Sequence, residues 1–208
     1  DYLLSEGVKG IVVACNTATS VAVRRLRGRY PDLPIVGIEP AIKPAAKNHE
    51  GGRIVVMATS VTLRRPKFAH LMESFRQSAE IISMACPSIV DFVEKDKMNS
   101  QELMNYLTKK FAALGDRPAD AVVLGCTHYP ILLPKIQKYT PKHIRIVAQG
   151  EYVAESLKDY LSRHPEMNAK CTQNGSCLFY TTEAEEKFVE SASSFLNQQI
   201  DVKRISLE

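Results

Sequence analysis

Long hydrophobic runs are absent from this chain: no stretch of its 208 residues approaches the roughly 18 to 20 apolar residues of a membrane-spanning helix. No membrane partner is therefore expected. The opening residues, DYLLSEGVKG, lack the basic start, apolar middle and small-residue cleavage site of a signal peptide. Charge of one sign is also scarce. Lys and Arg number 27 against 23 Asp and Glu, and they are spread along the chain. That excludes the electrostatic footprint of a nucleic-acid binder. There is no low-complexity segment and no C-x-x-C pair. The cysteines number five, an odd count that argues against a secreted disulfide framework and for a reducing, cytoplasmic compartment. The first residue is Asp and the text opens inside a helical pattern, so the N-terminal part of a longer protein is expected to be missing.

What is present is ordinary for a globular protein: 45% hydrophobic and 24% charged residues. The length suits one large domain or two small ones. Short Val- and Ile-rich runs alternate with longer amphipathic stretches, the pattern of an α/β protein with mostly parallel strands. Strands are expected at 10–14, 35–38, 53–58, 80–84, 121–124, 144–148, 177–180 and 202–205. Helices are expected near 1–6, 17–29, 61–78, 88–95, 100–113, 130–138, 152–163 and 183–197. Most of the strands are apolar on consecutive residues, so helices should cover both faces of each sheet. Punctuated regions at 37–52 and near Gln149-Gly150 divide the chain. The expected arrangement is an outer domain of residues 1–38 and 148–208, with residues 39–147 inserted as a second domain.

Two segments share one form. Val12-Val13-Ala14-Cys15-Asn16-Thr17 and Val123-Leu124-Gly125-Cys126-Thr127-His128 each run from an apolar strand through a small residue to Cys, then to polar groups and a helix. In an open parallel sheet, ligands bind outside the carboxyl ends of the strands, where both thiols are expected. The positive end of a following helix and its free N–H groups favour the reactive thiolate. One isolated Cys is more often a buried structural residue; two at equivalent corners, each beside a hydroxyl, point to chemistry.

Three chemistries compete for such a pair. A redox disulfide lacks the C-x-x-C arrangement. A metal site with His128 lacks zinc-ligand spacing and a second cluster. Two acid–base groups on opposite faces of one substrate best explain the symmetry, since racemisation at carbon needs mirror-related groups. Asn16, Thr17 and Thr127, with helix N–H groups, suit a small anionic, zwitterionic substrate. Thr59 and Thr62 form another hydroxyl-bearing helix start, although capping alone explains either one. His128 can orient or protonate Cys126. Cys86 reads as structural, Cys171 and Cys177 as incidental thiols flanking a polar turn at 172–176, and the pairs Arg24-Arg25 and Arg64-Arg65 as solvated helix faces.

At these residues the chain resembles the glutamate racemase branch of the aspartate/glutamate racemase superfamily. The matching pieces are Ala14-Cys15-Asn16-Thr17-Ala18, the run from Gly37 to Ala45, and Leu124-Gly125-Cys126-Thr127-His128-Tyr129-Pro130. Looser matches surround Ala58–Thr62, Cys86–Glu94 and 179–196. The resemblance implies two similar α/β domains with the site in the cleft between them, and a cofactor-independent, metal-free enzyme. That enzyme would interconvert L- and D-glutamate to supply peptidoglycan in the cytoplasm. Cys15 and Cys126 would be the two bases; Asn16, Thr17, Thr59, Thr62, Thr127 and His128 would bind substrate; Glu94 and His128 would support Cys126. Family members are commonly homodimers.

The chain also departs from the pattern. The family's Asp-Ser-Gly strand and Pro-Tyr-Gly motif are absent. Arg65 and Phe68 stand where Ser and Tyr are usual, Ala58 stands for Gly, and Gln149-Gly150 replaces an Asp-led pair. With those motifs lacking, apolar sheet surface should be exposed, and the 208-residue chain is expected to be inactive or nearly so. Other readings are an aspartate racemase, a non-catalytic binding module on a racemase scaffold, and a thiol redox protein.

Overall fold

The computed structural model describes residues 1–142, 144–173 and 175–207, with the backbone alone at Ser194. The chain begins with α1 (Tyr2–Ser5), β1 (Ile11–Val13), α2 (Asn16–Arg29), β2 (Ile35–Gly37) and α3 (Ile42–Asn48). It continues through β3 (Arg53–Ala58), α4 (Ser60–Leu63), α5 (Pro66–Ser74), β4 (Glu80–Ala85), α6 (Ser88–Glu94), α7 (Gln101–Ala112) and β5 (Ala121–Leu124). A 3-10 turn (Tyr129–Leu132), α8 (Leu133–Ile136) and a second 3-10 turn (Gln137–Tyr139) precede β6 (Arg145–Ala148) and α9 (Gly150–Arg163). The last elements are α10 (Pro165–Asn168), β7 (Phe179–Thr181), α11 (Glu185–Leu196) and β8 (Val202–Arg204). Two compact units result: Gly10–Arg163, and Asp1–Lys9 with His164–Glu208.

The larger unit is organised by a four-stranded sheet in the order β4-β3-β5-β6, and its pairings are all parallel. Alternating side chains of β3 and β5 reach opposite faces. Val55, Met57, Val122 and Leu124 pack with Ile89, Leu103, Leu107 and Tyr129 on one side. Ile54, Val56, Ala121 and Val123 pack with Ile42, Ala45 and Phe68 on the other. Each fully buried Val, Leu or Ile contributes roughly 1.5–3 kcal/mol, so these consecutive apolar residues hold helices to both faces. β1 and β2 form a separate parallel pair. It is held against α2 at Gly37, where an added Cβ would lie 2.6 Å from Thr19 Cγ2. In the smaller unit β7 pairs with β8 in parallel, and the Tyr2 and Tyr180 rings meet edge-on at 5.5 Å.

Local chemistry moved several boundaries. The helix expected over 61–78 breaks into α4 and α5 at Pro66, whose ring suits only the first turn of a helix. The helix expected over 130–138 is a short α segment between two 3-10 turns, with Pro130 and Pro134 near its starts. The boundary region 37–52 holds an unexpected helix, α3. Burial of strands on both faces holds for β3 and β5 but not for β1, where Val12 is 41% exposed. Asn174, in the expected polar turn, lies outside the described residues.

Candidate active site

Along the four-stranded sheet the chain steps from β3 outward to β4, then returns across β3 to begin β5 on its other side. The crevice at such a reversal, beyond the strand carboxyl ends, is where open α/β sheets bind ligands. Thr59 follows β3 and Cys126 follows β5, so both flank it. A pocket of about 200 Å³ opens there, lined by Cys15, Asn16, Thr17, Thr59, Thr62, Val90, Gly125, Cys126, Thr127 and His128. The two thiols and the six expected substrate-binding residues thus line one pocket of the larger unit, and Glu94 touches it through His128.

The two cysteine corners are built differently. Cys15 is the N-cap of α2, with extended backbone and an exposed side chain. Behind it runs a 14-residue helix whose dipole is positive at this end. Cys126 is half-buried and precedes only a 3-10 turn of 4 residues. The helix dipole expected there is therefore largely missing, and a side chain supplies positive charge instead. His128 Nδ1 lies 3.9 Å from Cys126 Sγ, and Nε2 lies 2.6 Å from Glu94 Oε1. The His128 pKa is raised from 6.5 to about 9, chiefly by its hydrogen bond to Cys126, against burial and with Glu94 adding to the rise. At neutral pH both ring N–H groups donate, one to the sulfur and one to the carboxylate.

Hydroxyls gather in the same pocket. Thr17 Oγ1 lies 3.2 Å from both Thr59 Oγ1 and Thr62 Oγ1, which are 3.1 Å from each other. Thr59 also caps α4 by accepting from the Thr62 N–H at 3.3 Å. Capping and clustering thus coexist, and the cluster can donate to a carboxylate. Asn16 Nδ2 donates to Gly125 O at 2.9 Å and to Gln149 Oε1 at 3.0 Å, while Asn16 Oδ1 has no protein partner among the described residues.

Two residues that the sequence reading left out of the site matter to it. At Gly125 an added Cβ would sit 2.9 Å from Met57 O and 3.2 Å from Ala58 Cβ, so only glycine lets β5 deliver Cys126 against β3. Gln149 is the buried partner of Asn16; its position just after β6 was the available signal. Arg65 is not on a solvated helix face: it is half-buried at the N-cap of α5. Cys86 is structural as expected, and burial pushes its thiol up to about 12. All five thiols are free, and no metal-holding group of His, Cys, Asp and Glu occurs among the described residues.

A sequence profile for the family described as Asp/Glu/Hydantoin racemase matches residues 1–157. The chain belongs to the Asp/Glu/Hydantoin racemase family. Among curated members of this isomerase family, the glutamate racemase of Clostridium novyi (strain NT) is 38% identical over 196 residues, covering 94% of this chain and 76% of the relative. Among solved structures, glutamate racemase isoform RacE1 of Bacillus anthracis superposes with a TM-score of 0.82 at 25% identity, over 99% of this chain and 77% of that one. Escherichia coli glutamate racemase, in complex with L-glutamate and the activator UDP-MurNAc-ala, superposes with a TM-score of 0.77 at 25% identity, over 94% and 74%. The family therefore agrees with the α/β fold and with racemase chemistry.

Proposed function

We propose that the protein interconverts L- and D-glutamate without a cofactor, Cys15 and Cys126 acting as acid and base on opposite faces of the α-carbon. The observation that carries this reading is the placement of both thiols on one pocket, together with a hydroxyl cluster. Its curated glutamate racemase relatives and the L-glutamate in the Escherichia coli neighbour support the choice of substrate. In one direction the Cys126 thiolate takes the α-proton while the Cys15 thiol delivers its own proton to the other face. The cysteines then hold exchanged protonation states, ready for the reverse direction. Thr17, Thr59, Thr62 and Thr127 hold carboxylate oxygens, with Asn16 beside them at the pocket wall. Protonated His128, steadied by Glu94, holds the Cys126 thiolate in line. D-Glutamate made this way would serve peptidoglycan synthesis in the cytoplasm, and the working enzyme would be a homodimer.

The α-proton of an amino-acid carboxylate is far less acidic than a thiol, so catalysis depends on a dry, preorganised pocket. With Cys15 exposed, turnover by the 208-residue chain should be slow, and α-proton exchange in D2O followed by NMR is the sensitive measure. Cys15→Ala and Cys126→Ala should each lower racemisation in both directions about 100-fold or more. Substantial racemisation surviving either change overturns the two-thiol mechanism. Turnover of aspartate with glutamate inert overturns the substrate.

A further inference from the structure

The two cysteine corners are joined by a pair of buried amides. Asn16 directly follows Cys15, and its Nδ2 donates to the carbonyl of Gly125, which directly precedes Cys126, at 2.9 Å. A carbonyl can only accept, so the Asn16 amide must present its nitrogen there. The other hydrogen of that nitrogen then meets Gln149, whose Oε1 accepts at 3.0 Å. Asn16 and Gln149 are 4% and 3% exposed, and Gln149 sits where β6 ends, beside β5. One acceptor leaves an amide free to rock about its terminal torsion; two acceptors, just past the ends of different strands, fix its plane. Gln149 does not line the pocket.

We propose that Gln149 is a positioning residue: by holding the Asn16 amide on the Gly125 carbonyl, it sets the spacing of Cys15 and Cys126. The proposal rests on the two-thiol reading above. Opposed proton transfers tolerate little misplacement, and an error of about 1 Å in such a site can lower the rate about 100-fold. The carboxamide oxygen is the working group, so a side chain of similar length that keeps an oxygen should replace it and one without should not.

The test compares Gln149→Met, which removes the acceptor at similar volume, with Gln149→Glu, which keeps an oxygen. A short bismaleimide reports thiol spacing without requiring turnover. The Cys15–Cys126 link is mapped by peptide mass spectrometry, with Cys15→Ala and Cys126→Ala as blanks. The Met variant, folded by circular dichroism, should cross-link at least about threefold more slowly and show kcat about 10-fold lower with KM little changed. The Glu variant should recover most of both. Gln149→Ala provides the same comparison should the Met variant not fold. Unchanged linkage and kcat in the acceptor-free variants overturn the proposal, and so do equal losses in the Met and Glu variants, which assign Gln149 to packing. Racemisation that survives loss of either cysteine overturns the two-thiol reading instead, a distinct result.

Discussion

The Cys15 and Cys126 corners share a sequence form and differ in how the fold supports them. Among the described residues β1 pairs with β2 alone and leaves Val12 41% exposed, and the thiol it delivers is exposed at the head of a long helix. β5 lies between β3 and β6, is wholly buried, and delivers a half-buried thiol to an imidazolium braced by a carboxylate. Positive potential thus reaches one thiol from backbone dipoles and the other from a side chain. Under the two-thiol mechanism proposed above, equivalent roles would not require equivalent surroundings, only positive charge on the side of each sulfur.

The small residues before the two cysteines break this comparison most strongly. Gly125 faces Met57 O, where a Cβ would sit at 2.9 Å, whereas its counterpart Ala14 is exposed. Gly125→Ala should therefore destabilise the protein by about 1–3 kcal/mol, because overpacking forces backbone shifts, while Ala14→Gly should change stability by about 1 kcal/mol or less. Urea denaturation of both variants checks this. Similar losses at the two corners would show that Gly125 has room the backbone geometry denies it.

That asymmetry was not legible in the sequence, and the reason is physical. Consecutive apolar residues placed β3 and β5 well, since each strand pairs on both edges and packs helices on both faces. In Gly10–Ala14 the same pattern implies cover on both faces, but runs of Val and Ile say nothing of how many neighbours a strand has, and the exposed Val12 is of the kind expected where the family's motifs are lacking. The motif around Cys126 suggested a helix there, but Tyr129-Pro130 and Pro134 allow only short turns. The sequence offers His128 as a helper to Cys126, and its position 2 residues along brings the ring back to the sulfur. Glu94 came only from the family resemblance, since a helical Glu is usually solvated, and it is indeed more than half exposed. Gln149 stands out in the sequence as a departure at a strand end, but its contact with Asn16 spans 133 positions and has no local signature.

A smaller effect tests how firmly the Cys126 corner is seated. Tyr129 is fully buried, and its hydroxyl donates to the Cys86 carbonyl at 2.7 Å. Tyr129→Phe leaves that carbonyl only the longer bond from the Ile89 N–H, at 3.3 Å, and should lower stability by about 0.5–1.5 kcal/mol. The shift in urea midpoint, at unchanged m-value, measures it. No shift would mean that the turn after Cys126 is held by packing alone.

The subtlest difference between the corners is their response to pH, through His128. Its folded pKa of about 9 stands above the ordinary 6.5, so the interactions behind the shift stabilise the fold fully below about 6.5. They are lost as pH rises through about 9. The hydrogen bond to Cys126 is the larger cause and Glu94 a smaller one, which orders two variants. In an NMR titration of the His128 ring, Cys126→Ala should lower the midpoint most. Glu94→Gln should lower it less and leave it above 6.5, since Glu94 is largely exposed and screened by water. The reverse order would move the source of the imidazolium from the sulfur to the carboxylate. The thiol of Cys126 would then depend on a surface ion pair, and the two corners would be more alike in their openness than the burial of β5 implies.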